Sequence, residues 1–545
     1  MDYKSIKNTT MKLNNNIWLL ALILIGFTAC ESDDDSLSDP LIEDPQTEPL
    51  PVYTSGTADF TTFVAIGNSL TAGVSDGTLF RTGQDVSFPN VLSQQFALAG
   101  GGTFTQPLID DNVGGLLLGG TQIAGPRLIF NPTTQTPGPV SGTPTTDITN
   151  IIAGPFNNMG IPGAKSFHLL APGYGNIANF PAAQPYFIRM ASTPNATVLD
   201  DALAQNPTFF SLWIGNNDVL GYATTGGDGT NLITDQATFD GAMTALVSSL
   251  TASGSNGIIS NIPNVTDAPY FTTVPFAPLS PANPSFGPQI PTLNGIFGQL
   301  NQVYAFLESQ GIPNATDRQI VFSETAASAV VIKDETLMDL SAQIAGVLNA
   351  SPTFPAFVES FGLPAAAAPL VANLFGAVYG QSRQANANDL LVLPSSSVIG
   401  SINQDQSDFL QASGLPEALA NQFAVEGVSL PLEDKWVVLP AELVEIQDAT
   451  AAFNQTISNL ATQFDIALFD VNTFFNGIAT NGFQAGGAFL TADYVTGGLF
   501  SLDGFHPSPR GYSVITNQMI GIINTKYGSN LPTVNPVDYT GLYID

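Results

Sequence analysis

The sequence holds a single cysteine, Cys30, so it has no intramolecular disulfide framework and no cysteine metal cluster. Its only histidines, His168 and His506, lie far apart and outside any HExxH spacing, which disfavours a zinc hydrolase. Basic side chains are scarce: 13 Lys and Arg stand against 45 Asp and Glu, for a formal net charge of -32. Such a surface repels nucleic acid and anionic bilayers, and it suits a protein that stays soluble outside the cytoplasm. No P-loop occurs, and no GxGxxG follows a strand. Asp33-Asp34-Asp35 lacks the ligand spacing of an EF-hand loop. No cofactor and no metal ligand is therefore expected. Charged residues are only 11% of the chain and hydrophobic residues 44%, an apolar fraction too high for disorder. A length of 545 residues admits several domains or one large α/β domain with insertions.

What is present begins at the N-terminus. Lys4, Lys7 and Lys12 precede an apolar run over 17–27 that ends in Thr28-Ala29-Cys30. A basic region, a short apolar core and a small-residue cleavage site make a secretory signal, too short for a membrane span. Met11 serves equally well as its start. Residues 27–30 resemble a bacterial lipobox, which implies a signal peptide over 1–29 and a lipidated Cys30 as the mature N-terminus. The run Glu31-Ser32-Asp33-Asp34-Asp35 resembles signals that carry lipoproteins to the outer face of the outer membrane. Residues 36–56 are polar, contain proline and lack periodicity, so 30–57 is expected to be a tether. The resulting expectation is a chain secreted across the inner membrane, held in the outer membrane by its N-terminal lipid and exposed at the cell surface.

The rest of the chain is organised around residues 60–75, FTTFVAIGNSLTAGVS. The β-branched and aromatic run over 61–66 predicts a strand that Gly67, Asn68 and Ser69 terminate. Ser69 then stands at the C-terminal edge of a sheet, where open α/β sheets bind ligands and the next helix offers free N–H groups. It is a candidate nucleophile, although a turn followed by a serine helix cap reads equally well. Further strands are predicted over 208–214 and 256–262, the first a continuous apolar run of the kind a buried parallel strand has, with others over 391–399 and 465–471. Helices are predicted over 89–99, 237–251, 294–310, 335–349, 365–377, 407–417, 440–464 and 510–527. Gly, Pro and Thr clusters make 103–160 an elaborated surface loop, and 472–500 a second glycine-rich loop. The alternation of strand and helix predicts an α/β sandwich, interrupted over 267–431 by a markedly apolar insertion or cap.

A serine hydrolase needs a base within reach of the nucleophile and an acid to orient that base. His506 has Asp503 three residues before it, in a turn shaped by Gly504 and Pro507. The spacing lets Asp503 fix the imidazole tautomer while His506 takes the serine proton, although a turn-capping Asp503 beside a surface His506 fits it too. The tetrahedral oxyanion needs donors, for which the Ser69 N–H, the Gly163 N–H and the Asn217 side-chain amide are candidates. His168 lies five residues after Gly163 and reads as a structural histidine.

Three segments, Gly67-Asn68-Ser69-Leu70, Gly215-Asn216-Asn217-Asp218 and Asp503-Gly504-Phe505-His506-Pro507, resemble the successive blocks of the SGNH hydrolases, also called the GDSL esterase and lipase family. Ile161-Pro162-Gly163-Ala164 resembles the glycine block between the first two. The resemblance implies Ser69 as nucleophile, Asp503 and His506 as the rest of a triad, and Ser69, Gly163 and Asn217 as the oxyanion hole. It also implies a three-layer α/β/α sandwich of flavodoxin-like type around a parallel sheet of about five strands, built from 58–266 and 432–545 with the insertion between them. Asn68 replaces the family's usual acidic residue, and the insertions over 103–160 and 267–431 have no counterpart in the blocks. The expected activity is hydrolysis of carboxylic esters outside the cytoplasm, with lipid or fatty-acyl esters first because the insertion is apolar. Carbohydrate O-acetyl esters are the alternative substrate, and a noncatalytic surface glycan-binding or outer-membrane accessory lipoprotein is the alternative function.

Overall fold

The computed structural model describes residues 51–545, so the expected signal peptide, Cys30 and all but the end of the tether lie outside the described residues. Val52–Asp545 forms one compact unit. Five parallel strands make its central sheet: β1 (Phe63–Gly67), β2 (Asn158–Gly160), β3 (Phe209–Trp213), β4 (Asn256–Ser260) and β5 (Ala467–Phe469). They lie side by side in the order 2-1-3-4-5, and the order reverses at β1. Gly67 is level with Gly160 on one side and with Trp213 on the other, so β1, β2 and β3 end together.

The helices that layer the sheet or carry the site are α1 (Ser69–Ala72), α2 (Phe88–Leu98), α3 (Asn216–Thr224) and α4 (Gln236–Thr251). They continue with α5 (Ile290–Ser309), α6 (Ser341–Ala350), α7 (Ala368–Tyr379), α8 (Pro440–Gln463), α9 (Val471–Asn481) and α10 (Pro509–Tyr527). Alternation along β1 separates the layers. Phe63 and Ala65 join Phe96 of α2 and Ile515 and Met519 of α10, whereas Val64 and Ile66 join Met243 of α4 and Ile457 of α8. Phe239 stacks on Phe453 at 4.0 Å between centroids and ties α4 to α8. The chain is an α/β/α layered protein, as its alternation of elements predicts.

Within 267–431, α5, α6 and α7 build a second hydrophobic cluster with Val437 and Leu439. Gly376 lets α7 approach α6, since a Cβ there would sit 2.3 Å from the Ser341 carbonyl oxygen. No helix among the described residues is long and apolar enough to cross a membrane.

Four local expectations fail for identifiable reasons. The loop expected over 103–160 contains two hairpins and ends in the edge strand β2. Asn-Met-Gly has no β-branched residue to announce it; instead the Asn158 side chain donates to the Thr71 carbonyl at 2.9 Å and accepts from Gly160 N–H at 3.0 Å. In place of a strand over 391–399, only Leu390–Leu391 pairs, with Val437–Val438, before Pro394 enters a 3-10 turn at Leu393–Ser397. The glycine-rich loop expected from 472 is delayed by α9, whose first turn is capped by the Asp470 side chain accepting from Thr473 N–H. The helix expected from 335 starts only at Ser341, because Asp334 holds a turn through Thr336 N–H and Asp339 accepts from Ser341 N–H.

Candidate active site

At the end of β1, Gly67 lies so close to β3 that a Cβ would stand 2.2 Å from the Trp213 carbonyl oxygen. Asn68 follows, wholly buried. Its Oδ1 accepts from Leu70 N–H at 3.0 Å and caps α1, while its Nδ2 donates to Asn216 Oδ1 at 3.1 Å. Asn68 thus caps α1 and also ties the end of β1 to the start of α3. Ser69 is the first residue of α1, where backbone N–H groups have no partner within the helix, and it is buried against a cavity that it helps to line.

His506 Nδ1 lies 2.9 Å from Asp503 Oδ2. Asp503 Oδ1 accepts from Phe505 N–H at 3.0 Å and from His506 N–H at 2.9 Å. Oδ2 also accepts from Gly77 N–H at 2.7 Å. Burial pushes the Asp503 carboxyl up, but the His506 imidazole and the N–H donors outweigh it and hold the acid below its ordinary value. An ionised Asp503 fixes the proton on Nδ1, leaving the Nε2 lone pair of His506 free to act as a base.

The segment leaving α1 grips this loop directly. Asp76 N–H donates to Ser501 Oγ at 2.9 Å, Leu502 N–H donates to Asp76 Oδ1 at 3.0 Å, and Gly77 supplies the donor to Asp503. Asp76 and Gly77 adopt φ of 52° and 88°, a turn that sends the chain straight back from α1 to the 501–506 loop. Sequence reasoning passed over this pair; an Asp-Gly turn seven residues after the serine was the signal that marked it.

Ser69, Asn217 and His506 line one cavity of about 60 Å3. Its other walls are largely apolar, among them Trp213, Leu220, Ile478, Phe500 and Phe505. Among the described residues no hydrogen bond joins Ser69 Oγ to His506 Nε2; such contacts are commonly loose before substrate binds. Gly163 is not on the cavity wall. It turns with φ of 77° beside Ala164, whose carbonyl accepts from Asn217 Nδ2 at 2.9 Å, leaving the second Asn217 amide N–H for another acceptor.

His168 lies outside this cavity. Its Nδ1 accepts from Lys165 N–H at 3.0 Å and its ring stacks on Tyr174 at 4.8 Å. Burial and then the nearby Lys165 push its pKa down to about 4, which suits a neutral structural ring. On the far side of Asp503, a cleft of about 1310 Å3 opens between Tyr494 and the insertion residues Tyr270 and Phe286. The residues best disposed to hold a metal are Glu335, Asp434 and Glu442, whose carboxylate oxygens come within 4.8 Å of one another.

Comparison with protein-family models, with curated proteins and with solved structures finds no match to this chain.

Proposed function

We propose that the chain is a serine-dependent carboxylic ester hydrolase of the SGNH type, carried on a flavodoxin-like sheet and tethered at the outer membrane by a lipid on Cys30. The observation that carries the reading is that Ser69 and His506 share one small apolar cavity, with an ionised Asp503 on the Nδ1 of His506. The strand order 2-1-3-4-5 also supports it, because that order puts the ligand crevice beyond the C-terminal ends of β1 and β3.

In this reading Ser69 Oγ attacks the ester carbonyl while its proton passes to His506 Nε2. The imidazolium, held by Asp503, then returns that proton to the departing alcohol oxygen, and water repeats the sequence to release the acid. The oxyanion is met by the Ser69 N–H and the second Asn217 amide N–H, both on the cavity wall; Gly163, the third donor expected from the sequence, stands off that wall and is left out of the hole. The largely apolar walls of the cavity suit the acyl chain of the ester. The second reading, a carbohydrate O-acetyl esterase, draws on the neighbouring cleft, whose Tyr270 and Tyr494 offer stacking faces to a sugar.

The test is hydrolysis of p-nitrophenyl esters from acetate to palmitate. Activity lost in both Ser69→Ala and His506→Ala is the expected outcome, and its chain-length optimum separates a lipase from an acetyl esterase. A folded protein inactive on this series and on acetylated glycans would move the noncatalytic surface lipoprotein ahead.

A further inference from the structure

Asp76 is only 3% exposed, and its two carboxylate oxygens differ sharply. Oδ1 accepts from Leu502 N–H, one residue before Asp503. Oδ2 is buried with no hydrogen-bond partner. The nearest cation is Arg127, whose Nη1 stands 3.9 Å from Oδ2, beyond hydrogen-bond reach. Arg127 is committed elsewhere: Nε donates to the Asn112 carbonyl at 2.9 Å and Nη1 to the Leu128 carbonyl at 3.2 Å. The guanidinium carbon also lies 4.7 Å from the ring centroids of both Phe80 and Tyr543. The groups acting on Asp76 are therefore Asp503 and His506 from the loop that it grips, Arg127 from the hairpin side, and the hydroxyls of Tyr494 and Tyr543.

An asparagine would accept from Leu502 N–H equally well, so the backbone contact alone does not call for an acid. What an acid adds is a charge beside the dyad. We propose that Asp76 is a positioning residue that, once ionised, stabilises the imidazolium of His506 and so adds a second pH-dependent step to the reaction of Ser69. This rests on the reading of Ser69, His506 and Asp503 given above. Asp76 neither gives nor takes a proton during turnover: the serine proton goes to His506 Nε2 and on to the leaving alcohol. Burial foremost, with the Asp503 charge adding to it and the Leu502 N–H, Arg127 and His506 opposing, pushes the Asp76 carboxyl up to about 7. The charge therefore develops across neutral pH, when Asp503 is already ionised.

The experiment follows kcat and KM for p-nitrophenyl butyrate from pH 5 to 9, using the full chain in detergent, for wild type, Asp76→Asn, Arg127→Gln and Ser69→Ala. In wild type kcat rises in two steps. In Asp76→Asn the upper step is missing, the plateau falls about 3- to 10-fold and KM is unchanged. In Arg127→Gln the upper step moves to higher pH, because a cation that favours the charged acid is gone. An Asp76→Asn enzyme with the wild-type profile would overturn the proposal, and so would an Arg127→Gln enzyme whose upper step has not moved.

A readout independent of turnover is the His506 ring signal in NMR, identified by its loss in His506→Ala. A second inflection in its titration, absent from Asp76→Asn, is expected. Such an inflection in a protein inactive on esters would retain the coupling and remove only the esterase reading; its absence from wild type would remove the coupling.

Discussion

Two acidic regions of this molecule, one enclosed and one that runs from buried Glu442 out to exposed Glu335, behave in opposite ways. In the 501–506 loop, Asp503 receives the N–H groups of Gly77, Phe505 and His506 together with His506 Nδ1, and it stays below its ordinary value despite burial. Where Glu335 of the insertion meets Asp434 and Glu442 of the segment after it, three carboxyls crowd together with far fewer donors. Glu442 Oε2 accepts only from Leu439 N–H at 2.7 Å, and Asp434 Oδ1 is buried without any partner. Burial and then the neighbouring carboxyls push Asp434 up to about 7, and burial with the same crowding pushes Glu442 up to about 8. Depth alone therefore does not decide whether an acid is charged. The sign of the charges beside it and the N–H groups aimed at it do.

Removing one negative charge from each region is the sharpest way to break this comparison. Asp503→Asn keeps the shape of the loop but loses control of the His506 tautomer, so kcat on a short-chain ester falls by about 10^2- to 10^4-fold. A loss under tenfold would mean that the donors around Asp503 serve the loop and not the imidazole. Glu442→Gln acts in the other direction. Its amide oxygen still accepts from Leu439 N–H, while the repulsion within the cluster is relieved.

The sign of the stability effect follows from proton uptake. A carboxyl raised in the folded state binds more protons folded than unfolded, so its contribution is fully present below the ordinary carboxylate range and is lost as pH rises through about 7 to 8. Wild-type Tm is expected to fall between pH 5 and 8.5. Glu442→Gln is expected to gain about 1–3 kcal/mol over wild type at pH 8.5 and nothing at pH 4. Thermal melts of the two proteins at those two pH values check it, and an equal difference at both would place the effect in packing instead of charge.

The two regions were not equally legible in the sequence. Phe209–Trp213 is apolar enough to declare a buried strand, and the long α8 keeps a helical stripe through Ile446, Phe453, Ile457 and Leu460. Ser69 and His506 stood out because a serine ended a strand and histidine is so rare here. The three-residue strand β2 gave no such signal, since its place is fixed by Asn158 side-chain bonds rather than by apolar pattern. The contact of Gly77 with Asp503 joins residues 426 apart in the chain, and that of Asp76 with Ser501 joins residues 425 apart. The acidic cluster draws on Glu335, Asp434 and Glu442 in separate segments. Local propensity carries no information about either junction, which depends on where the sheet delivers its loops.

The smallest expected effect comes from the residue where this chain departs from the SGNH pattern. Asn68→Asp would keep the Oδ1 acceptor for Leu70 N–H, so the cap on α1 survives. The other oxygen would then face Asn216 Oδ1, which now accepts from Asn68 Nδ2. Rotation of the Asn216 amide about its last torsion presents N–H groups to the new carboxylate and restores the link, provided the amide is free to turn. An acid at position 68 thereby gains two donors, which puts it with Asp503 and not with the crowded cluster. Activity within about threefold of wild type and a Tm change of only a few degrees are expected. A large loss of Tm that grows as pH rises would show instead that Asn216 is locked and that the buried charge at 68 lacks donors. Position 68 would then belong with Asp434 and Glu442, and donor supply at the end of β1 would account for an asparagine preceding the serine.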